Sequence, residues 1–182
     1  AKGYQYMKGM QDHGVMACSK HFPGHGDTDV DSHHDLPIIN HSKARLDSIE
    51  LYPFQTLADK GVGSMMIAHL HVPAFDDRPN RATALSKNTV TKILREEMGF
   101  EGIIFTDALE MKGVTKYFQS GEVEAEALLA GNDILLLPED IEAAFQTLRA
   151  YIADGRLSWA ELELSVKRVL RAKYQMGLQS YQ

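Results

Sequence analysis

Gly102-Ile103-Ile104-Phe105-Thr106-Asp107 is the stretch on which the reading of this chain turns. A strand with one wet face alternates apolar and polar residues, and this one does not. Both of its faces are therefore expected to be buried, as in a parallel sheet covered by helices. The run ends on a carboxylate, which is costly beside buried apolar residues unless it is paired or functional. At the C-terminal end of a barrel strand such a residue reads as catalytic. The plain alternative is an Asp that caps the following turn.

Working outward, the same kind of run recurs at Val15-Met16-Ala17-Cys18, at Ser64 to Ala68 and at Ile134 to Leu137. Helical spacing fills the intervals. Ala1 to Asp12 carries Tyr6, Met7 and Met10, and stops at His13-Gly14. Leu46, Ile49, Leu51, Tyr52, Phe54 and Leu57 form a helix face in which Pro53 is expected to make a kink. Ser86 reads as the N-cap of a helix carrying Val90, Ile93, Leu94 and Met98, ended by Gly99. Further helices are expected over Val123 to Ala130, Glu139 to Ala153 and Ser158 to Tyr174. Lys167, Arg168, Arg171 and Lys173 on the last read as a solvated basic face favoured by the helix dipole.

Four buried strands, each followed by a helix, make the chain an α/β protein built of parallel βα units. Barrels and doubly wound sheets both place their sites at the C-terminal strand ends. Lys20 and His21, His69 and His71, and Asp107 all collect there. One of the two histidines after the second strand is expected to face the pocket in a hydrogen-bonded supporting role. Asp133 precedes its strand, the wrong end for chemistry, and reads as structural.

Composition narrows the classes. At 182 residues and 44% hydrophobic, the chain has too much apolar material to be disordered. Lys and Arg total 19 against 25 Asp and Glu, with no basic block, so nucleic acid is not an expected partner. No segment approaches the roughly 18 uninterrupted apolar residues that span a bilayer. Cys18 is the only cysteine, which excludes a disulfide framework. The chain opens Ala1-Lys2-Gly3 with neither an initiator Met nor a visible targeting leader, and runs straight into a helix; it reads as the later part of something longer.

The richest chemistry lies in Lys20-His21-Phe22-Pro23-Gly24-His25-Gly26-Asp27-Thr28-Asp29-Val30-Asp31-Ser32-His33-His34-Asp35, which holds half of the eight histidines. Gly24 and Gly26 permit tight backbone paths. Asp31 and His33 sit two apart, so the carboxylate can orient the imidazole and stabilise its charged form. A histidine held that way can move a proton near neutral pH. A calcium loop starting at Asp27 fails, because its sixth position is Ser32 and its twelfth Ile38. A P-loop fails for want of a Gly-Lys-Ser/Thr ending. A zinc site from His21, His25 and His33 matches no standard ligand spacing. A plain polar surface loop is disfavoured by the histidine density and by the position after a buried strand.

At these residues the chain resembles glycoside hydrolase family 3, in particular its β-N-acetylglucosaminidase (NagZ-like) branch. Lys20-His21-Phe22-Pro23-Gly24-His25-Gly26 followed by Asp31-Ser32-His33 carries the resemblance, supported by Thr106-Asp107-Ala108-Leu109-Glu110-Met111 and, more weakly, by Ala68-His69 and Ala130-Gly131-Asn132-Asp133. The resemblance implies that Asp107 is the nucleophile, that His33 is the general acid/base with Asp31 as its partner, and that Lys20, His21 and His69 bind the sugar. It implies a retaining double displacement on a terminal β-linked N-acetylglucosamine, as in cell-wall muropeptides, and so a place in peptidoglycan recycling. No cofactor and no metal is implied; a phosphorolytic variant of the reaction stays open. The family's sugar pocket also uses an Asp and an Arg from earlier strands. Residues 1–182 are accordingly expected to be the C-terminal half, about four βα units, of a (β/α)8 TIM-type catalytic barrel. The expected partners are a carbohydrate substrate and either the N-terminal half of the barrel or a second copy of the chain, with no nucleic acid and no membrane segment. An inactive fragment or non-catalytic module of the same fold, and a metal-dependent hydrolase using the histidine loop, are the competing readings.

Overall fold

The computed structural model describes residues 2–28 and 36–178. Four strands form one parallel sheet in the order β1 (Cys18–Phe22), β2 (Ser64–Ile67), β3 (Ile103–Ala108) and β4 (Ile134–Leu136). Sequential order with parallel pairing requires a crossover between each pair of strands. These are supplied by α2 (Lys43–Ser48) with α3 (Leu51–Asp59), by a helix over Asn88–Glu97 wound with π-type hydrogen bonds, and by α4 (Lys112–Thr115) with α5 (Glu122–Ala130). Helix α1 (Lys2–Asp12) precedes the sheet, and α6 (Ile141–Ala153) and α7 (Trp159–Gln175) follow it. The architecture is α/β, and the arrangement is that of part of a TIM-type barrel.

The two sheet faces differ. Met65 pairs with Ile104 and Ile67 with Thr106, and all four are buried. Met65, Ile67 and Ile104 join Phe22, Phe54, Val90 and Leu94 in the main core. The intervening row, Met66 beside Phe105 beside Ile134, is only half-buried. That row lies on the face that a closed barrel would enclose.

Two local expectations are corrected. The first strand begins at Cys18 instead of ending there. Val15 is exposed, Ala17 already lends its carbonyl to Ser64 (3.1 Å), and the ladder continues to Phe22. Lys20 and His21 are thus strand residues. The helix break expected at Pro53 falls earlier, at Ile49-Glu50, between α2 and α3. Pro53 sits in the first turn of α3, where its missing N–H costs no intrahelical bond. Ser86 does act as expected, its hydroxyl accepting from the Thr89 amide at 3.2 Å.

Below the strands, the Asp133 side chain is fully buried at 0% exposure and is satisfied on both oxygens. Oδ2 accepts from the Ile104 amide (2.9 Å) and from Arg95 Nη2; Oδ1 accepts from Arg168 Nη1 at 3.0 Å. Arg168, expected on a solvated face, is therefore the bolt that fixes α7 beneath β3. Burial pulls the Arg95 guanidinium down to about 10, even with Asp133 opposing and Arg168 reinforcing that fall. Gly131 sets the approach: at φ 108°, a Cβ here would stand 2.6 Å from the Thr91 hydroxyl. Elsewhere, Glu126 gathers Arg81, Arg156 (2.7 Å) and the Tyr151 hydroxyl (2.8 Å).

Asp76 is buried and accepts from Arg78 Nε (2.8 Å) and from the Ser86 hydroxyl (2.6 Å). Burial acts to raise its pKa, but the hydrogen bonds from Arg78 and Ser86 outweigh it and hold the carboxyl at about 2, below its ordinary 3.8.

Two outcomes follow from these buried carboxylates. Asp133→Ala leaves the half-buried Arg95 and Arg168 guanidiniums without their shared counter-charge and should cost about 3–5 kcal/mol in a urea titration; a loss under about 1 kcal/mol would contradict the anchoring role. Asp76, with its pKa depressed on folding, stabilises fully above its unfolded value, and that share is lost as pH falls toward about 2. Urea midpoints across that acid range should fall less steeply in Asp76→Asn than in the native chain.

Candidate functional site

β3 delivers Asp107 at the C-terminal end of the sheet, next to where β1 brings Lys20 and His21 and where β2 leads into His69. Met66, Phe105 and Ile134 mark the open face, and Asp107 follows Phe105 by two residues where the β3–β4 register shifts; both Phe105 and Asp107 are half-buried. Its carboxylate is 27% exposed, and Oδ1 accepts from the Ala108 amide at 2.9 Å. Oδ2 faces His21 Nε2 at 3.9 Å, an electrostatic contact too long for a hydrogen bond.

Burial lowers the pKa of His21; the Asp107 charge pulls it upward, while Lys20 and His25 push it down. A neutral His21 imidazole is the result at neutral pH, which leaves a ring that can offer one N–H to a polar ligand. Lys20 precedes His21 on β1 and is exposed. The Lys20-His21 and Phe22-Pro23 peptide bonds are cis.

His69 differs from the others. Its residue is 1% exposed, and Nε2 lies 3.0 Å from the Ala108 carbonyl oxygen. The expected supporting role of one histidine after β2 therefore takes the form of a contact with the backbone beside Asp107. His71 turns elsewhere: its backbone exchanges hydrogen bonds with Pro37 (2.8 Å) and Ile39 (2.9 Å), and Nδ1 lies 3.4 Å from the Arg81 carbonyl.

The structure thus brings Asp107, His21 and His69 together, with Lys20 adjacent on β1. Asp31 and His33 lie outside the described residues. At the limbs of that loop, His41 Nε2 and Asp27 Oδ2 meet at 2.6 Å, and this contact keeps the Asp27 carboxyl below its ordinary range. Thr28 Oγ1 lies 3.1 Å from His25 Nδ1, and the His21 and His25 rings stand edge to face, 6.2 Å between centroids. Nothing in the sequence pointed to the Asp27–His41 contact, which joins residues fourteen positions apart. Among the described residues, no three His, Cys, Asp or Glu side chains gather closely enough to hold a metal ion. No described helix is long and apolar enough to cross a membrane.

Known proteins resemble this chain in sequence and in fold. A β-hexosaminidase from Chromobacterium violaceum is 40% identical over 147 residues, covering 78% of this chain and 40% of that protein. The structure of a glycoside hydrolase family 3 β-N-acetylglucosaminidase from Paenibacillus sp. strain FPU-7 superposes with a TM-score of 0.92 at 39% identity, covering 99% of this chain and 35% of that one. A structure of the β-glucoside phosphorylase BglX superposes with a TM-score of 0.91 at 27% identity, covering 98% of this chain and 34% of that one. The chain thus spans well under half the length of each of these relatives. The family model described as the glycosyl hydrolase family 3 N-terminal domain matches residues 1–172, and the chain belongs to that family.

Proposed function

We propose that this chain is the nucleophile-bearing part of a retaining exo-β-N-acetylglucosaminidase. The observation that carries the reading is Asp107 itself, which sits at the C-terminal end of β3, partly open on the face a barrel would enclose, with the Ala108 amide on one oxygen and His21 beside the other. A carboxylate so held can attack an anomeric carbon from one side of the sugar ring, giving a covalent glycosyl-enzyme that water then releases. His33, paired with Asp31, would protonate the leaving oxygen and afterwards deprotonate the attacking water. Lys20 and His21 would hold sugar hydroxyls. Relatives named β-hexosaminidase and β-N-acetylglucosaminidase support N-acetylglucosamine as the sugar, and muropeptides of the kind released in peptidoglycan recycling fit as natural substrates.

The half-buried row of Met66, Phe105 and Ile134 belongs with the proposal, because a catalytic pocket needs walls on that side. We assign the missing wall to a further barrel half or to a second copy of the chain. Phosphorolysis is retained as a second reading on one observation, the 0.91 TM-score to the phosphorylase, since a neutral His acid/base would admit an anionic acceptor.

The test is covalent trapping. A 2-deoxy-2-fluoro glycosyl fluoride or an equivalent mechanism-based sugar should label one peptide, that containing Asp107. Asp107→Ala should lose both labelling and all turnover of a nitrophenyl N-acetyl-β-glucosaminide. His33→Ala should lose about 10²–10⁴-fold, the share that acid/base catalysis supplies. Unchanged turnover in Asp107→Ala would overturn the reading. Adding phosphate to the same assay separates the two acceptors by whether a sugar phosphate or the free sugar is formed.

A further inference from the structure

His69 occupies a site where an apolar residue would cost less. It is almost wholly enclosed, and although Nε2 meets the Ala108 carbonyl, Nδ1 has no hydrogen-bond partner. A carbonyl oxygen only accepts, so the proton resides on Nε2 and the Nδ1 lone pair is left unsatisfied. Burial lowers the pKa of this imidazole, with the Ala108 backbone contact, the Asp107 charge and the Asp107 backbone opposing, so the ring stays neutral at physiological pH. A leucine of similar bulk would leave no orphan acceptor. What the imidazole adds is a directed contact with the backbone of β3, a hydrogen bond to the Ala108 carbonyl above all.

That bond reaches a place where the sheet ladder is interrupted. The β3–β4 register shifts between Phe105 and Ala108, the interval that contains Asp107. Within it the Leu136 amide is taken by the Thr106 hydroxyl at 3.0 Å. Ala108 is the residue whose N–H donates to Asp107 Oδ1. His69 is itself held from behind: the buried Thr83 hydroxyl donates to the Ala68 carbonyl at 2.6 Å and accepts from the Leu70 amide at 3.3 Å, the two residues flanking the histidine.

We propose that His69 is a positioning residue, which fixes Ala108 so that its amide stays aimed at the Asp107 carboxylate through the reaction. The proposal rests on the reading of Asp107 as nucleophile. His69 then acts through the backbone of β3 and does not touch the sugar. The imidazole holds the carbonyl of Ala108, the Ala108 amide holds Asp107, and Thr83 holds the backbone on either side of His69.

Two measurements test it. In the first, nitrogen NMR of the labelled protein should show His69 as the Nε2–H tautomer, protonating only below the range of an ordinary imidazole. A ring that protonates as an ordinary imidazole does, or that carries its proton on Nδ1, overturns the contact. In the second, kcat and KM are compared among variants of the protein. His69→Leu, which cannot donate, should lower kcat about 10- to 100-fold with KM changed less than about twofold, as expected for a misplaced reacting group. His69→Gln, which can donate through its amide, should recover kcat to within about fivefold of the native value. Equal losses in the two variants, or native kcat in a folded Leu variant, overturn the proposal. If Leu prevents folding, the tautomer and the kcat of the Gln variant, near-native or not, decide the matter. Turnover surviving in Asp107→Ala removes the nucleophile reading, and with it the catalytic part of the proposal, while the NMR result reports on the His69 contact independently.

Discussion

At the base of β3, the enclosed Asp133 carboxylate accepts from the Ile104 amide, from Arg95 and from Arg168. Such a group is tolerable only if every charge around it is matched, because an unpaired ion at that depth would cost several kcal/mol, on the order of the stability of a whole domain. The match joins four elements: the loop before β4, the π-wound helix through Arg95, α7 through Arg168, and β3 itself. α7 has no fully buried residue, so its attachment owes much to this polar contact. A strand fixed in depth at its base has a fixed top, and the top carries Asp107.

The chemistry at that end depends on the same economy of contacts. One carboxylate oxygen is tied to the Ala108 amide, and the other is left facing a histidine whose charged form is disfavoured by burial. The carboxylate is thus oriented without being neutralised by a close cation on the His21 side, which suits a group proposed to form a bond through that oxygen. The sheet is fastened at the top as well, by Thr106 to β4 and by His69 to Ala108. Support of this kind from rigid elements is what a pocket at the C-terminal end of a barrel strand requires.

Much of this was legible in the sequence, for reasons that are themselves physical. β2, β3 and β4 announced themselves as unbroken apolar runs, although the Met66, Phe105 and Ile134 row on one of their faces is only half-buried. β1 did not, since Cys18, Ser19, Lys20 and His21 are polar or small and only Phe22 enters the core, so the apolar stretch before it reads as the strand. Asp133 could be read as structural from its position ahead of β4. The role of Arg168 could not, because nothing in a basic helix face says which cation turns inward. His69 was recognisable as a residue of the site, but its contact is with a backbone carbonyl, and backbone partners leave no mark in a side-chain pattern. The motif around Lys20 to Gly26 pointed to the family because its residues recur as a set, independently of these local readings.

In the proposed reaction, β3 presents Asp107 to one face of the anomeric carbon, and displacement there occurs twice. Proton NMR of a hydrolysis reaction, followed before the liberated sugar mutarotates, tests this most directly. Two successive inversions predict that the first N-acetylglucosamine to appear is the β anomer. Initial release of the α anomer would mean a single displacement by water, and would contradict that reaction.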